Sequence, residues 1–180
     1  MMKKIILSIL MCAAFLFSMA QTNENYINSK AIENSKFYSQ LTVGLLPGQA
    51  VSPSFHMVNG FNLNQKWQFG IGMGVESFAN NTYLPLFGQS RYNFMSSLST
   101  PFISVMAGYN FALRNTEFNK GGFTTGLQIG LDHYFSDHVG LSTSVGYRYA
   151  YLKINNAWWE DFSTIREINR LEFRLGIIFK

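Results

Sequence analysis

The feature that most constrains this chain is the alternation of apolar and polar residues along most of the sequence after residue 36. The alternation is clearest over residues 67–76, where every second residue is apolar. The apolar residues are Trp67, Phe69, Ile71, Met73 and Val75, and between them lie Gln68, Gly70, Gly72, Gly74 and Glu76. Because successive side chains of a β-strand point to opposite faces, this period of two predicts a strand with one apolar face.

Seven further segments share this period. Their apolar faces run over Leu41–Leu45, Phe55–Leu63, Leu84–Phe94, Ile103–Phe111, Phe123–Phe135, Val139–Tyr151 and Leu171–Phe179. Together with residues 67–76 they make eight strands, and the sequence predicts an all-β domain.

The charged residues within the eight segments all lie on the face opposite the apolar one. They are Glu76, Arg91, Asp132, Arg148, Arg170, Glu172 and Arg174. Eleven of the 15 glycines share that polar face, which suits a crowded lumen. A soluble barrel has the reverse arrangement, and strands in a bilayer cannot leave an edge unpaired. The sequence therefore predicts a closed antiparallel up-and-down transmembrane β-barrel of about eight strands.

The N-terminus has the features of a secretory signal peptide. Lys3 and Lys4 precede an apolar stretch, and Ser18 and Ala20 place small residues before a cleavage site at Gln21. An uncleaved anchor is the alternative, but the apolar stretch is shorter than the roughly 20 residues of a spanning helix. We therefore divide the chain into a signal peptide (1–20), a polar periplasmic lead-in (21–36) and a barrel (37–180), exported to the bacterial outer membrane.

Composition excludes several functional classes. Charged residues make up 13% of the chain, and loss of Lys3 and Lys4 lowers the formal charge from +4 to +2. Without a basic cluster, this is not a nucleic-acid-binding surface. Cys12 is the only cysteine and lies in the signal region, which excludes disulfides and cysteine chemistry from the mature protein.

The connections between the segments alternate in length. Short connections around Asn64, Ser97–Ser99 and Ser136 are assigned to the periplasmic side. The outer connections centre on residues 47–53, 80–81, 114–122 and 155–164, and the last two are the longest. Short periplasmic turns and longer outer loops are typical of bacterial outer-membrane barrels.

The chain resembles the small outer-membrane β-barrel proteins of the OmpA/OmpX type over roughly Phe37 to the end. The resemblance rests on Tyr83-Leu84-Pro85-Leu86-Phe87, Arg91-Tyr92-Asn93-Phe94, Ala107-Gly108-Tyr109, Gly146-Tyr147-Arg148-Tyr149 and Gly176-Ile177-Ile178-Phe179. It implies a fold and a location, outer-membrane lipid and lipopolysaccharide as surroundings, and the barrel-assembly machinery as a partner during insertion. Lys180 departs from the family pattern, in which the chain ends on an aromatic residue.

The seven charged residues of the polar face are the leading site candidates, because ionisable residues inside a membrane are expensive. We expect Arg148 and Glu172 to form an ion pair, with Glu76 close enough to share it. Arg91 and Asp132 lie nearer the periplasmic end. The main interpretation is a lumen plugged by ion pairs, and the alternative is a narrow pore for small or hydrophobic solutes.

A lipid A-modifying enzyme is the rival hypothesis, since such barrels use histidine with serine and an acid. His56 has Ser54 on the same face but no acid in its own segment, and His133 and His138 lie at the periplasmic rim. No nucleophile, base and orienting group have convincing spacing. The sequence predicts no catalytic residue, no metal and no cofactor.

The most distinctive outer connection contains Trp158, Trp159 and Phe162. These residues are either part of an aromatic girdle or a contact surface for an unknown extracellular ligand. The function favoured by the sequence is therefore non-enzymatic: envelope integrity or surface interaction through the extracellular loops.

Overall fold

Eight strands account for most of the chain that the structure describes. The computed structural model describes residues 35–48, 51–78, 81–95, 97–113, 121–136, 138–155 and 163–180. The strands are β1 (Phe37–Leu46), β2 (Ser52–Asn62), β3 (Trp67–Phe78), β4 (Asn81–Asn93), β5 (Ser99–Ala112), β6 (Gly121–Tyr134), β7 (Val139–Asn155) and β8 (Ser163–Phe179). Among these residues, no helix is long and apolar enough to cross a membrane.

The strands form one closed antiparallel barrel. Each strand pairs with its neighbours in sequence, and β8 closes the ring by pairing with β1. The predicted fold class, an up-and-down barrel of eight strands, is confirmed. β1 and β2, with 10 and 11 residues, match the roughly 9–11 residues of a minimal crossing. The other strands are longer, and β7 and β8 reach 17 residues each. Pro53, expected in a connection, lies within β2.

The barrel is strongly staggered. Following cross-strand partners from Leu41 around the ring leads to Glu167 on β8, whereas the direct partner of Leu41 on β8 is Ile177, ten residues away. The path runs through Met57, Met73, Leu86, Tyr109, Phe123 and Tyr151. A stagger of this kind requires the strands to tilt, typically by about 35–45°.

The outer surface carries the predicted apolar faces. Leu127 and Ile129 are each 49% exposed, whereas Gln128 between them is only 4% exposed. Val43, Ile71, Val105, Phe173 and Leu175 are likewise exposed apolar side chains on other strands. Exposure of so much apolar surface to water is unfavourable, whereas contact with lipid tails is not. The assignment of inside and outside from the alternation is therefore confirmed.

Two apolar clusters fill the lumen between its polar residues. One contains Tyr38, Val58, Phe87, Met106, Tyr134 and Ile178. The other lies towards the opposite mouth and contains Leu46, Tyr83, Ala150, Leu152 and Ile168. Inward glycines make room for these side chains: a Cβ at Gly70 would lie 2.6 Å from the Tyr38 hydroxyl, and one at Gly130 would lie 2.5 Å from Phe102. The glycine-rich polar face thus reflects the small diameter of the lumen.

The two longest connections lie at one end of the barrel, as expected, although the shortest connection, 79–80, lies at the same end. Residues 63–66, 94–98 and 135–138 link strands at the end that also holds Phe37 and Lys180. In the first of these, the Asn64 side chain accepts hydrogen bonds from the amides of Lys66 and Trp67, at 2.9 and 2.7 Å, which fixes a tight turn. At the other end the connections are 47–51, 79–80, 113–120 and 156–162, and the last two are the longest.

Candidate functional site

The seven charged residues predicted from the alternation all face the lumen. Glu76, Arg91, Asp132, Arg148, Glu172 and Arg174 are at most 7% exposed, and Arg170 is half-buried. They lie on β3, β4, β6, β7 and β8, and the Glu76–Arg148 pair joins opposite strands of the barrel. Burial of this degree requires that each charge has a partner.

The first cluster, nearer the end that holds Phe37 and Lys180, is centred on Arg91. Its guanidinium forms an ion pair with Asp132 and donates hydrogen bonds to Asn93 at 3.3 Å and Gln40 at 3.4 Å. The guanidinium carbon also lies 3.4 Å from the centre of the Phe102 ring. Arg91 on β4 thus contacts groups on β1, β5 and β6, and its side chain fills the lumen at this level.

The second cluster contains Arg148, Glu76 and His56. Arg148 on β7 reaches across the lumen to form an ion pair with Glu76 on β3. The same carboxylate oxygen lies 2.7 Å from Nε2 of His56. The edge of the His56 ring faces Phe87, with a centroid distance of 5.5 Å. Glu76 is therefore shared between an arginine and a histidine that come from opposite sides of the barrel.

Glu172 forms the third ion pair, with Arg174. The Arg174 guanidinium lies 2.8 and 3.0 Å from the two carboxylate oxygens. Gln128 donates a hydrogen bond to the same carboxylate at 3.2 Å, and Ser54 approaches it at 3.5 Å. Three side chains from β2, β6 and β8 thus converge on one acid.

The expected pair between Arg148 and Glu172 is replaced by these two pairs. In the β7–β8 register Arg148 lies opposite Arg170, and Glu172 lies opposite Gly146. Arg174 follows Glu172 by two residues on the same face, so it takes this carboxylate. Glu76 is then the direct partner of Arg148, although sequence reasoning gave it only a shared role.

His56 and Glu76 are the contact that sequence reasoning missed. The search for an acid was confined to the segment of His56, whereas the acid lies on the next strand. In the β2–β3 register Ser54 pairs with Glu76, which places the carboxylate beside His56. Continuing the alternation from β2 through the short turn at Asn64 into β3 would have placed Glu76 beside His56.

Ligand atoms of His56, Glu76 and Glu172 lie within 4.8 Å of one another, which is the spacing of a metal site. However, Arg148 and Arg174 pair with the two carboxylates. Because these arginines neutralise both acids, a divalent cation would add uncompensated charge to a closed lumen. The donor set therefore suits an ion-pair network better than a metal.

Comparisons with known proteins are consistent with this geometry. No protein-family model and no curated protein matches the chain. Among solved structures, Neisserial surface protein A matches with a TM-score of 0.63 and 18% identity, over 80% of this chain and 96% of that chain. OprG from Pseudomonas aeruginosa matches with a TM-score of 0.57 and 9% identity, over 82% and 96%. The N-terminal barrel domain of Pseudomonas aeruginosa OprF gives 0.56 and 11%, over 81% and 98%.

The chain has the fold of the small eight-stranded outer-membrane β-barrels. The resemblance inferred from the sequence is therefore confirmed at the level of fold. Because all three identities lie below 20%, the shared feature is the barrel itself and no residue role follows from it.

The rim of the barrel that holds Phe37 also carries the other two histidines and Lys180. Exposed His133 contacts the Ser99 hydroxyl at 2.9 Å, and the amide of Lys180 donates a hydrogen bond to the carbonyl of exposed His138. The Lys180 ammonium lies 4.4 Å from the centre of the Tyr134 ring. Burial lowers the pKa of Lys180 to about 8, although the Asp132 carboxylate opposes this shift. Lys180, the departure from the family pattern, thus packs on Tyr134 at this rim.

Trp158, Trp159 and Phe162 lie outside the described residues. Their assignment to a girdle or a contact surface stays a prediction. The described aromatic residues on the outer surface do form rows near both ends of the barrel. Trp67 stacks with Phe69 and contacts Tyr92, at 6.1 and 5.0 Å between ring centres, and Tyr109 contacts Phe111 at 5.0 Å. Such rows are typical of membrane interfaces.

Proposed function

We propose that this chain is a non-enzymatic barrel of the bacterial outer membrane, with a closed lumen, that serves envelope integrity or surface interaction through its extracellular loops. The single observation that carries the proposal is the filling of the lumen. Three ion pairs lie inside it, one of them between opposite strands, and apolar clusters fill the space around them. A lumen filled in this way supports a structural role and leaves the outer connections as the accessible surface.

The burial of His56 argues against catalysis on lipid. Its ring is fully buried, and its partner Glu76 is paired with Arg148. Ser54 contacts Glu172 rather than presenting its hydroxyl to the membrane. A group that attacks lipid A has to reach the outer leaflet, whereas these side chains point into the lumen.

Two measurements test the closed lumen and the absence of catalysis. In planar bilayers we expect no stepwise conductance from the purified barrel, with a general porin as the positive control. Lipid A mass spectra of cells with and without the protein should be identical. Conductance steps would move the function to a pore, and a new lipid A species that disappears in His56→Ala would establish an enzyme.

A third experiment tests the loops. Residues 113–120 and 156–162 are each replaced by an Asn-Gly turn, and the control variant replaces residues 135–138 at the periplasmic end in the same way. Folding is checked by the gel shift between heated and unheated samples. We expect the control to rescue the detergent sensitivity or the surface binding of a deletion strain, and the loop variant to fail. Full rescue by the loop variant would place the function in the barrel wall.

A further inference from the structure

A groove lies on the outer surface of the barrel, at the end where β1 and β2 meet the last residues of β8. Its volume is about 510 Å³, within the roughly 300–1,000 Å³ of small-molecule sites. Among the residues that line it are Phe37, Ser39, Asn59, Phe61, Phe179 and Lys180. The groove thus follows the seam at which the ring closes, and we call it the seam groove.

The walls of the seam groove are apolar and accessible. Phe37 is 73% exposed, Phe61 49% and Phe179 39%. In the β1–β2 register Phe37 lies directly opposite Phe61. Phe179 lies opposite Ser39 across the β1–β8 seam. Because these three rings have the outward parity of the lipid-facing surface, their favourable surroundings are lipid tails rather than water.

A polar pair interrupts the apolar face between these rings. Ser39 and Asn59 also have outward parity and lie opposite each other in the β1–β2 register. The Ser39 hydroxyl donates a hydrogen bond to Oδ1 of Asn59 at 2.7 Å. An asparagine amide has two N–H donors in addition to the oxygen used here. Such donors match the ester and phosphate oxygens of a lipid headgroup region, whereas hydrocarbon offers them no acceptor.

Positive charge lies at the rim of the seam groove. Lys180 is half-buried, and its ammonium lies 4.4 Å from the centre of the Tyr134 ring. Burial lowers the pKa of Lys180 to about 8, so the amine is still mostly charged at neutral pH. Lys36 is exposed beside Phe37, and its carbonyl accepts a hydrogen bond from the amide of Asn62 at 2.9 Å. Two lysines from different strand ends thus flank the groove.

The neighbouring acid is already neutralised by an arginine. The carboxylate that acts on Lys180 is that of Asp132. Asp132 forms an ion pair with Arg91 inside the lumen. The charge at the rim of the seam groove is therefore positive, and it adjoins an amide donor and three phenyl rings. An anionic headgroup with an attached hydrocarbon chain matches all three features at once.

We propose that the seam groove binds one anionic glycerophospholipid of the periplasmic leaflet. The phosphate lies beside Lys180 and Lys36, the glycerol esters accept hydrogen bonds from Asn59, and an acyl chain follows the phenyl rings. Lysines near a membrane surface attract anionic lipids, and aromatic rings favour the depth of the headgroups. The choice of leaflet rests on the proposed function and its orientation. The choice of an anionic phospholipid rests on the groove alone.

Two other occupants fit the seam groove less well. The residues before Ser35 are mostly polar, and a polar segment against the lipid-facing wall would leave backbone groups without partners. A second copy in a two-fold contact places the same patch on both sides of the interface. Lys36 and Lys180 of one copy would then face those of the other, and like charges repel.

The test uses the full mature barrel in nanodiscs of phosphatidylcholine that contain a small fraction of phosphatidylglycerol, spin-labelled near its headgroup. Paramagnetic relaxation of backbone amides is measured by NMR. The comparison is between Asn59 and Leu131, each three residues before the end of its strand, on β2 and on the opposite strand β6. We expect the enhancement at Asn59 to be about fivefold larger, the enrichment that one lysine near an anionic surface gives. Spin-labelled phosphatidylcholine should give equal enhancements.

A matched pair of lysine variants separates the seam groove from the general charge of the rim. Lys180→Gln removes a cation that lines the groove, whereas Lys66→Gln removes an exposed lysine of the turn between β2 and β3. We expect Lys180→Gln to remove most of the fivefold contrast and Lys66→Gln to preserve it. Lys36→Gln is the second variant if Lys180→Gln does not assemble.

A pair of phenylalanine variants tests the apolar wall in the same way. Phe37 lines the groove and is 73% exposed, whereas Phe94 lies at the same end on β4 and is 53% exposed. Because both side chains are exposed, neither substitution by alanine opens a cavity in the lumen. We expect Phe37→Ala to lower the contrast at least about twofold and Phe94→Ala to leave it unchanged.

Three results would overturn the proposal. Equal enhancement at Asn59 and Leu131 with labelled phosphatidylglycerol would reject a lipid site at the seam. Equal losses in Lys180→Gln and Lys66→Gln would mean that the rim attracts anionic lipid without a specific groove. A contrast that appears only after deletion of residues 21–34 would mean that the chain fills the groove itself. Nanodiscs present the same lipids on both sides, so conductance by the barrel or a reversed orientation would change the proposed function and leave this test unaffected.

Discussion

At the residue scale, the decisive property is that no lumen charge stands alone. Each of the acids Glu76, Asp132 and Glu172 contacts an arginine. In a narrow, poorly hydrated lumen the loss of one partner leaves the other charge uncompensated, which costs more than the pair contributes. The free energy of unfolding is therefore most sensitive to the loss of a single partner from a pair, which leaves the other charge buried and unpaired.

Glu172→Gln should destabilise the barrel by about 3–5 kcal/mol, because the Arg174 guanidinium loses its carboxylate. Arg174→Met in the same chain should recover part of the loss. The measurement is a double-mutant cycle on urea unfolding in lipid. The control cycle combines Glu172→Gln with Arg91→Met, which belongs to the periplasmic cluster, and should be nearly additive. Coupling near zero in both cycles would indicate a hydrated lumen in which water solvates the unpaired charge.

At the element scale, each strand separates lipid from lumen by alternation alone. β6 shows this most clearly, because exposed Leu127 and Ile129 flank buried Gln128. Gly126 and Gly130 lie on the same inward face as Gln128 and give the larger lumen side chains room. The two faces of one strand thus contact lipid and lumen respectively. The effect of a substitution therefore depends on which of the two faces the residue occupies.

Leu127→Arg should cost about 2–4 kcal/mol, since it places a guanidinium in the hydrocarbon near the middle of the bilayer. Gln128→Arg should cost less, because the new side chain enters a polar lumen, although crowding adds to its cost. Unfolding free energies in liposomes compare the two variants directly. A larger loss for Gln128→Arg would mean that crowding in the lumen outweighs exposure to lipid.

At the scale of the whole molecule, the stagger of the barrel and its filled lumen act together. A tilted eight-stranded ring has a lumen just wide enough for side chains, and this chain fills it with ion pairs and two apolar clusters. The same stagger, combined with unequal strand lengths, raises the β7–β8 hairpin above the rest.

The export of the molecule gives a separate prediction. We expect the mature chain to begin at Gln21 and to fractionate with the outer membrane, because Lys3, Lys4 and the apolar stretch after them have the sequence features of a secretory signal. Mass spectrometry of the purified protein and separation of inner and outer membranes on a sucrose gradient measure both points. An intact Met1 or a soluble periplasmic pool would contradict the prediction.

The sequence by itself determined the strands, their parity and the closure of the barrel. These follow from local rules: a period of two assigns each side chain to a face, as Leu127 and Gln128 show, and a bilayer forbids unpaired edges within it. The inward position of all seven charged residues follows from the same rule. The location of Glu76, Arg91 and Asp132 in the lumen needed no knowledge of contacts.

Only the tertiary structure decided which charges meet. Partners such as Arg148 and Glu76 come from opposite walls, and their distance depends on the stagger summed over all eight strand pairs rather than on spacing in the chain. The contact between His56 and Glu76 depends on the register of one hairpin. Parity is a local property of the backbone, whereas register and stagger arise only when the ring closes, because each strand then fixes the height of the next.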